Sequence, residues 1–507
     1  MTASEITSET APGTPPETAT GTAAGTAARP APADLLVVGG DVVTMAPGRE
    51  VVTGAAIAVA AGRVAGIGTA EELRERFPGT PELDARDCVV IPGMINAHQH
   101  TTADPLVRSM IPDDISSDEA IFSWIVPLHD QVTGDDDELS ATLTAAESLL
   151  RGVTTILEPG TVAHPLRVAA GLASAGIRAR VGRWGWDVPG VAHALPAAET
   201  LALQEETVRA LPPSGTVTGW VTLVGHDLAS DELFIGAAEL AERLDVGLTW
   251  HVSPSAADTR AYAERSGTPP VLHFRRLGVL GPRLLLGHAV WLDDAELDAI
   301  VETGTSVASC PGAYLRLGQG YGRAGRHAEL VRRGGRLALG GDSHNAGDVP
   351  DVLGTARLLA ALERDRDEAP VLRADQVFAL ATIGGAEAAG LGHLVGSIEV
   401  GKAADLVVLD TRDLSWTPRG DLATHLVWGA PTHTVRDVLV DGRIVVRDRR
   451  LTTVDTGALR REAAERSAAL LRRAGLDVPH RWPAIPAAEY SRRPSDRPGP
   501  SPNPRIP

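Results

Sequence analysis

Four short stretches of the chain each end in side chains able to hold a metal ion. They are Ala97-His98-Gln99-His100, Leu248-Thr249-Trp250-His251, Leu285-Leu286-Gly287-His288 and Leu339-Gly340-Gly341-Asp342. Residues two apart on a strand project to the same side, so His98 and His100 can reach one ion. Taken singly, a His-x-His pair or a histidine at a strand end is as readily an ordinary packed residue. Four such endings in order along one chain point instead to a shared centre. Neutral imidazoles with one carboxylate suit a borderline divalent ion, zinc or iron(II). Such an ion lowers the pKa of its bound water to roughly 7, and a carboxylate beside it can take and relay the proton. The chemistry expected of these residues is hydrolysis.

The elements that must position them read as repeated strand–helix units. Residues 137–150 and 231–244 carry apolar side chains at helical spacing, and the β-rich runs 153–157 and 246–250 follow them. The pattern continues with strands at 283–286, 305–308 and 336–339 and helices at 293–301 and 327–333. This repetition over residues 91–394 favours a distorted parallel (β/α)8 barrel of the TIM type, whose strand ends gather on one face. A doubly wound open sheet is the alternative. Residues 34–90 and 395–450 have short β-rich runs separated by Gly and Asp, and are expected to meet as a small β-sandwich built from both ends of the chain. Residues 451–478 hold one more amphipathic helix. Residues 1–33 are low in complexity, and residues 479–507 form a Pro/Arg-rich tail, both expected to be loosely held.

Composition narrows the partners. The 507 residues are 43% hydrophobic with a formal net charge of −18, and no basic stripe is visible, so nucleic acid is not expected. No apolar run is long enough to span a membrane. The N-terminus lacks the basic start and apolar run of a signal peptide, and the two cysteines, Cys88 and Cys310, give no disulfide framework, so the cytoplasm is the expected location.

The stretches Pro92-Gly93-Met94-Ile95-Asn96-Ala97-His98-Gln99-His100, Gly287-His288-Ala289-Val290-Trp291-Leu292, Cys310-Pro311 and Gly396-Ser397-Ile398-Glu399-Val400-Gly401-Lys402-Ala403-Ala404-Asp405 carry a resemblance. The sequence resembles the amidohydrolase superfamily, in the branch holding guanine deaminase, the adenosylhomocysteine and methylthioadenosine deaminases and the triazine hydrolases. The resemblance implies that His98, His100, His251 and Asp342 hold the metal. It implies that His288 orients the attacking water and polarises the substrate, and that Asp342 accepts the water proton. Two-metal members commonly bridge their ions with a carboxylated barrel lysine. The single lysine here, Lys402, lies in the closing motif, so one metal is expected, zinc or alternatively iron(II).

Further residues match by position. Arg108 and Trp124 correspond to an arginine and a tryptophan that follow the first motif, His226 to a substrate-facing histidine, and Tyr314 and Arg316 to substrate contacts. His344 and Asp258 are further candidates for the cleft. Family deaminases carry a glutamate three residues after the third histidine, where this chain has Pro254. His226, His344 or Asp258 can supply the missing proton, the substrate can be one that needs none, or the chain can bind ligand without turnover. Trp184 and Trp186 either wall an aromatic substrate or pack under a loop. Glu158 either faces the site or bonds a backbone amide. The expected function is hydrolysis of a C–N bond in a nitrogen heterocycle by deamination. The alternatives are attack on another bond with the same metal, as in an amidohydrolase or chlorohydrolase, and a non-catalytic metal- and ligand-binding homologue. The expected partner is a small heterocyclic substrate, and a homodimer is compatible with the resemblance.

Overall fold

The computed structural model describes residues 32–347, 349–366, 372–482 and 484–490. The first 31 residues and those from 491 onward, which include most of both expected loose ends, lie outside the described residues.

Both ends of the chain enter one mixed sheet. Its N-terminal strands are β1 (Leu35–Val43), β2 (Val51–Ala60), β3 (Arg63–Gly68), β4 (Glu82–Asp84) and β5 (Cys88–Pro92). A central series follows: β6 (Met94–Asn96), β7 (Val153–Leu157), β8 (Arg178–Val181), β9 (Val217–Gly219), β10 (Val221–Gly225), β11 (Leu248–Val252), β12 (Leu284–His288), β13 (Ser306–Ser309) and β14 (Arg336–Leu339). The chain then returns to the mixed sheet through β15 (Leu406–Asp410), β16 (Val435–Val440), β17 (Arg443–Arg447) and β18 (Arg450–Leu451). That sheet has nine strands, in the order β18-β17-β16-β15-β5-β1-β2-β3 with β4 beside β1. The expected partnership of the two chain ends is therefore present, joined where β5 and β15 run antiparallel.

The central strands form two parallel sheets, β6-β7-β8-β9 and β10-β11-β12-β13-β14. Trp220 alone separates β9 from β10; its backbone N–H donates to Val181 O (3.3 Å) and its indole to Glu158 O (3.0 Å). The outer strands β6 and β14 approach through the bond from Ala97 N to Leu339 O (2.8 Å) and a parallel bridge between Gln99 and Asp342.

Local chemistry explains the alternation. β7 reads Val-Thr-Thr-Ile-Leu and is buried throughout, as a β-branched run covered on both faces should be. The helix Asp231–Leu244 starts where the Ser230 side chain accepts Leu233 N, with two acids in its first turn, and buries Leu233, Phe234, Ala237, Leu240 and Ala241. The helix Asp294–Thr303 opens on a capping box between Asp293 and Glu296 and closes on Gly304 at φ 69°. The helix Thr456–Ala474 packs Leu459 and Leu470 against Leu106, Val107 and Leu128. A buried pair ties the mixed sheet to β8: Arg178 donates to both Asp405 oxygens at 2.9 and 3.0 Å. Among the described residues no helix is long and apolar enough to cross a membrane.

Candidate active site

The ends of β6, β11, β12 and β14 bring the histidines and the aspartate together. The His98 ring lies 5.3 Å from His100, 4.7 Å from His251 and 4.9 Å from His288, between centroids. His100 and His251 approach Nε2 to Nε2 at 3.3 Å, and Asp342 Oδ1 is 3.4 Å from His100 Nε2 and 3.9 Å from His98 Nε2. Two glycines make this approach possible. A Cβ on Gly287 would sit 2.7 Å from His98 Cε1, and one on Gly340 would sit 2.7 Å from His98 Cβ and 2.8 Å from Cys310 Sγ. His226, His288 and Asp342 all adopt positive φ (55°, 71° and 64°), an uncommon backbone for such residues that concentrates where function holds it.

Second contacts fix which nitrogens are free. His251 Nδ1 donates to Val224 O (2.6 Å), leaving Nε2 as the lone-pair atom. His100 Nδ1 bonds Thr161 Oγ1 (2.7 Å). Both His98 nitrogens are buried without a hydrogen-bond partner. Orphaned imidazole nitrogens facing a carboxylate fit a divalent ion, and the side-chain donor atoms of His98, His100 and His251 lie within 4.8 Å of one another, as do those of His98, His288, Cys310 and Asp342. Burial and neighbouring imidazoles push His98 and His251 well below the usual histidine range, so both are neutral as ligands must be. Burial takes His288 down to about 4. Burial opposes ionisation of Asp342, yet the bond from His100 and the facing histidines hold its carboxyl far below the ordinary range. Burial raises the Cys310 thiol, which makes it a poor nucleophile.

His100, His251, His288 and Asp342 form the floor of a cavity of about 390 Å³, within the range of small-molecule sites. Its wall is largely apolar and aromatic, with Ile111, Ile121, Phe122, Ile125, Trp184 and Trp186 among the lining residues. Both tryptophans therefore wall the cleft, and they also pack on each other at 5.0 Å. His226 lines it too, stacked on His251 at 5.3 Å, with Nδ1 bonded to Asp258 Oδ1 at 2.7 Å.

Five expected substrate contacts are not among the lining residues. Arg108 instead grips the Glu147 carboxylate with both terminal nitrogens, because that acid stands opposite it on the helix Gly134–Leu150. His344 is fully buried, 3.5 Å from the same carboxylate. Tyr314 is buried beside His288, its ring 5.7 Å away and its hydroxyl accepting Cys310 N (2.7 Å), so it acts as packing below the site. Trp124 lies within the helical turn Ala120–Ile125 that sends Ile121, Phe122 and Ile125 into the cleft, but is not itself among the lining residues. Arg316 also stays outside, donating to Ile111 O at 3.4 Å. Glu158 is buried, accepts Gly160 N (2.8 Å), and is raised by burial to about 7. Lys402 donates to Gly392 O and Ser397 Oγ, both at 2.6 Å, and serves the closing motif.

Sequence reasoning missed several residues. Asn96 accepts Gly341 N (2.9 Å) and Gln99 donates to Asp342 O (2.5 Å), clamping the first motif to the aspartate loop. His327 donates to His288 O (2.8 Å). Asp104, His129 and Asn345 add a second polar group to the cleft. The polar spacing inside Asn96-Ala97-His98-Gln99-His100 was the available signal for the clamp; the others come from separate segments of the chain.

The chain matches the Amidohydrolase family over residues 89–445. It is 33% identical over 424 residues to a 5-methylthioadenosine/S-adenosylhomocysteine deaminase of Syntrophobacter fumaroxidans, covering 83% of this chain and 95% of that one. A crystal structure of an adenosine deaminase from Xanthomonas campestris with bound zinc is similar at a TM-score of 0.82 and 29% identity, covering 87% of this chain and 100% of that one. The zinc complex of atrazine chlorohydrolase TrzN from Arthrobacter aurescens TC1 shares the fold at a TM-score of 0.78 and 22% identity, covering 86% and 100%. With the family's motif regions spread across most of the chain and its donor residues gathered at one set of strand ends, this protein belongs to the amidohydrolase family.

Proposed function

We propose that this protein is a single-zinc hydrolase that deaminates a nitrogen heterocycle, with a purine nucleoside of the methylthioadenosine or adenosylhomocysteine type as substrate. The observation that carries the reading is the convergence of His98, His100, His251, His288 and Asp342, the last four on the floor of an aromatic-walled cleft. The names of the relatives and the zinc in a similar structure support it. The two parallel sheets are read as one distorted eight-stranded barrel, with β9 and β10 a single strand broken at Trp220, and the nine-stranded sheet as a folded sandwich. The buried free thiols Cys88 and Cys310 support a cytoplasmic setting.

His98, His100, His251 and Asp342 would hold the ion. When bound, it supplies a water acidified toward neutral pH and a positive charge at the reacting carbon. Asp342 accepts the proton of that attacking water. His288, neutral at physiological pH, orients the water and polarises the ring. Water adds to the carbon bearing the amino group, the adjacent ring nitrogen gains a proton, and the C–N bond breaks. Ammonia leaves with the proton that Asp342 relays, the ring keeps the oxygen as a carbonyl, and the hydroxyl proton returns to the acid that protonated the ring nitrogen.

The ring-nitrogen proton is assigned to His226. Pro254 cannot donate one, whereas Asp258 holds His226 Nδ1 and, outweighing burial, raises this histidine above its usual range. Ammonia release from a panel of heterocyclic amines, with zinc content measured on the same protein, tests the reading. Release from purine nucleosides with about one zinc per chain supports it. Chloride or amide cleavage without ammonia would replace it.

A further inference from the structure

The cleft-lining residues include no arginine and no lysine among the described residues. Their charged members away from the histidine floor are Asp104, Asp118, Asp227 and Asp258. Asp258 is held by His226, and Asp227 is paired with Arg265, whose guanidinium lies outside the lining. Asp118 is exposed. Asp104 is 1% exposed; it accepts Asn345 Nδ2 at 3.0 Å and lies 3.5 Å from His129 Nε2. Burial opposes its ionisation, but His129 and Asn345 keep the carboxyl below its ordinary range.

The unpartnered atoms of the same wall point the same way. Asn345 Oδ1 and Gln319 Oε1 are buried acceptors without donors, on residues 3% and 5% exposed. Both residues line the cleft, and a ligand N–H or O–H is the kind of partner each oxygen lacks. The Trp184 indole N–H is a buried donor without an acceptor, but it is neutral and cannot balance a full charge. Arg316, outside the lining, is engaged with the Ile111 carbonyl at 3.4 Å. A carboxylate or phosphate bound here would lose its water, gain no counter-ion, and share a low-dielectric cleft with Asp104. The net charge of −18 adds long-range repulsion at the approach.

We propose that the cleft selects neutral or cationic heterocyclic amines carrying hydroxyl or amino donors, and rejects those carrying a carboxylate or phosphate, with Asp104 and Asn345 as the discriminating pair. This rests on the deaminase reading and narrows it. Of the two substrates in the relatives' names, the one with an uncharged thioether tail fits; the other's amino-acid tail carries an ammonium that the wall accepts but also a carboxylate that finds no counter-ion, and it is disfavoured.

The test is a charge series on one purine nucleoside: 5′-amino-5′-deoxyadenosine, adenosine and adenosine-5′-carboxylic acid. Full-length zinc-loaded protein is assayed for kcat/KM by ammonia release, and for Kd by calorimetry with any member not turned over. The anion is expected roughly 100-fold below the neutral member, and the cation at or above it. An anion within threefold of the neutral member would overturn the inference. Charge order in binding without any turnover would sink the deaminase reading and keep this one; no binding by any member would sink both. Asp104→Asn should narrow the gap between cation and anion by about tenfold. Phe122→Arg, at a lining residue 51% exposed and so tolerant of change, should raise the anion by about tenfold. An unchanged anion-to-neutral ratio in both variants would remove the electrostatic cause.

Discussion

Gly287→Ala tests the site through a residue that touches no substrate. The added Cβ would stand 2.7 Å from His98 Cε1 and 3.1 Å from His98 Nδ1. Carbon atoms pack at about 3.5–4.0 Å, so the ring must move by about 0.8 Å. It cannot retreat freely, because the β14 side is closed by Gly340, where even a methyl would strike His98 Cβ. Ligand distances in metal sites tolerate about 0.2 Å, a fraction of that shift. Zinc affinity should fall at least tenfold, and kcat/KM about 100-fold, the scale expected for a misplacement near 1 Å. Overpacking should cost about 1–3 kcal/mol of stability, leaving the chain folded. Chelator competition reads the affinity and ammonia release reads the turnover. Gly281→Ala, where a Cβ meets nothing within 4 Å, is the control and should match the parent. A folded Gly287→Ala protein with parental zinc affinity and turnover would show that His98 does not hold the metal.

Other outcomes follow from the same geometry. His98→Ala and Asp342→Ala should lose bound zinc and all turnover, by elemental analysis and rate assay; either keeping full activity removes the ligand assignment. His226→Ala should cost on the order of 100-fold in kcat and Asp258→Asn less, with a shifted acid limb in the pH profile; an unaltered profile would mean that the substrate needs no acid here. Asp405→Ala leaves the buried Arg178 charge with only the longer contact to Asp441 Oδ1 at 3.5 Å and should cost about 3 kcal/mol in denaturant unfolding, while Arg178→Met with Asp405→Leu recovers most of it. Burial raises Glu296 from 4.5 to about 7, so the folded state binds its proton more tightly than the unfolded state. That contribution is complete below pH 4.5 and is lost as pH rises through 7, by about 3 kcal/mol, and Glu296→Gln should flatten this part of the stability–pH curve.

The floor of the site was legible because each donor closes an apolar run. A parallel strand covered on both faces carries no alternation, so Leu284, Leu285 and Leu286 announce the strand and the polar His288 announces its end. The strand at residues 246–250 was placed two residues early, since His251 and Val252 continue the pairing with β12 and nothing local marks that extension. Arg108 lies off the cleft lining for a non-local reason. Its partner Glu147 lies 39 residues away, and a guanidinium free in the sequence is spoken for in the fold. Trp124 lies off the lining within a short irregular segment, whose helical phase the sequence does not reveal. Asp104, His129 and Asn345 share no period and no motif; they meet because three different segments end on the same rim. The pairing of both chain ends was visible in composition, whereas the nine-strand order depends on contacts such as β5 with β15 that composition does not encode.

Pro254 is where local and distant effects combine. Ser253 already turns at φ 47°, and the helix Ala256–Ser266 begins two residues later on the Ser255 cap. A proline with fixed φ suits that tight entry. The helix's first turn then presents Asp258, whose Oδ2 accepts Ser253 N (3.1 Å) while Oδ1 holds His226 Nδ1 (2.7 Å). One carboxylate thus fixes the turn at Pro254 and orients the histidine proposed to donate the ring proton. Positions 254 and 258 are therefore coupled by structure, and reading either residue alone would misjudge the site.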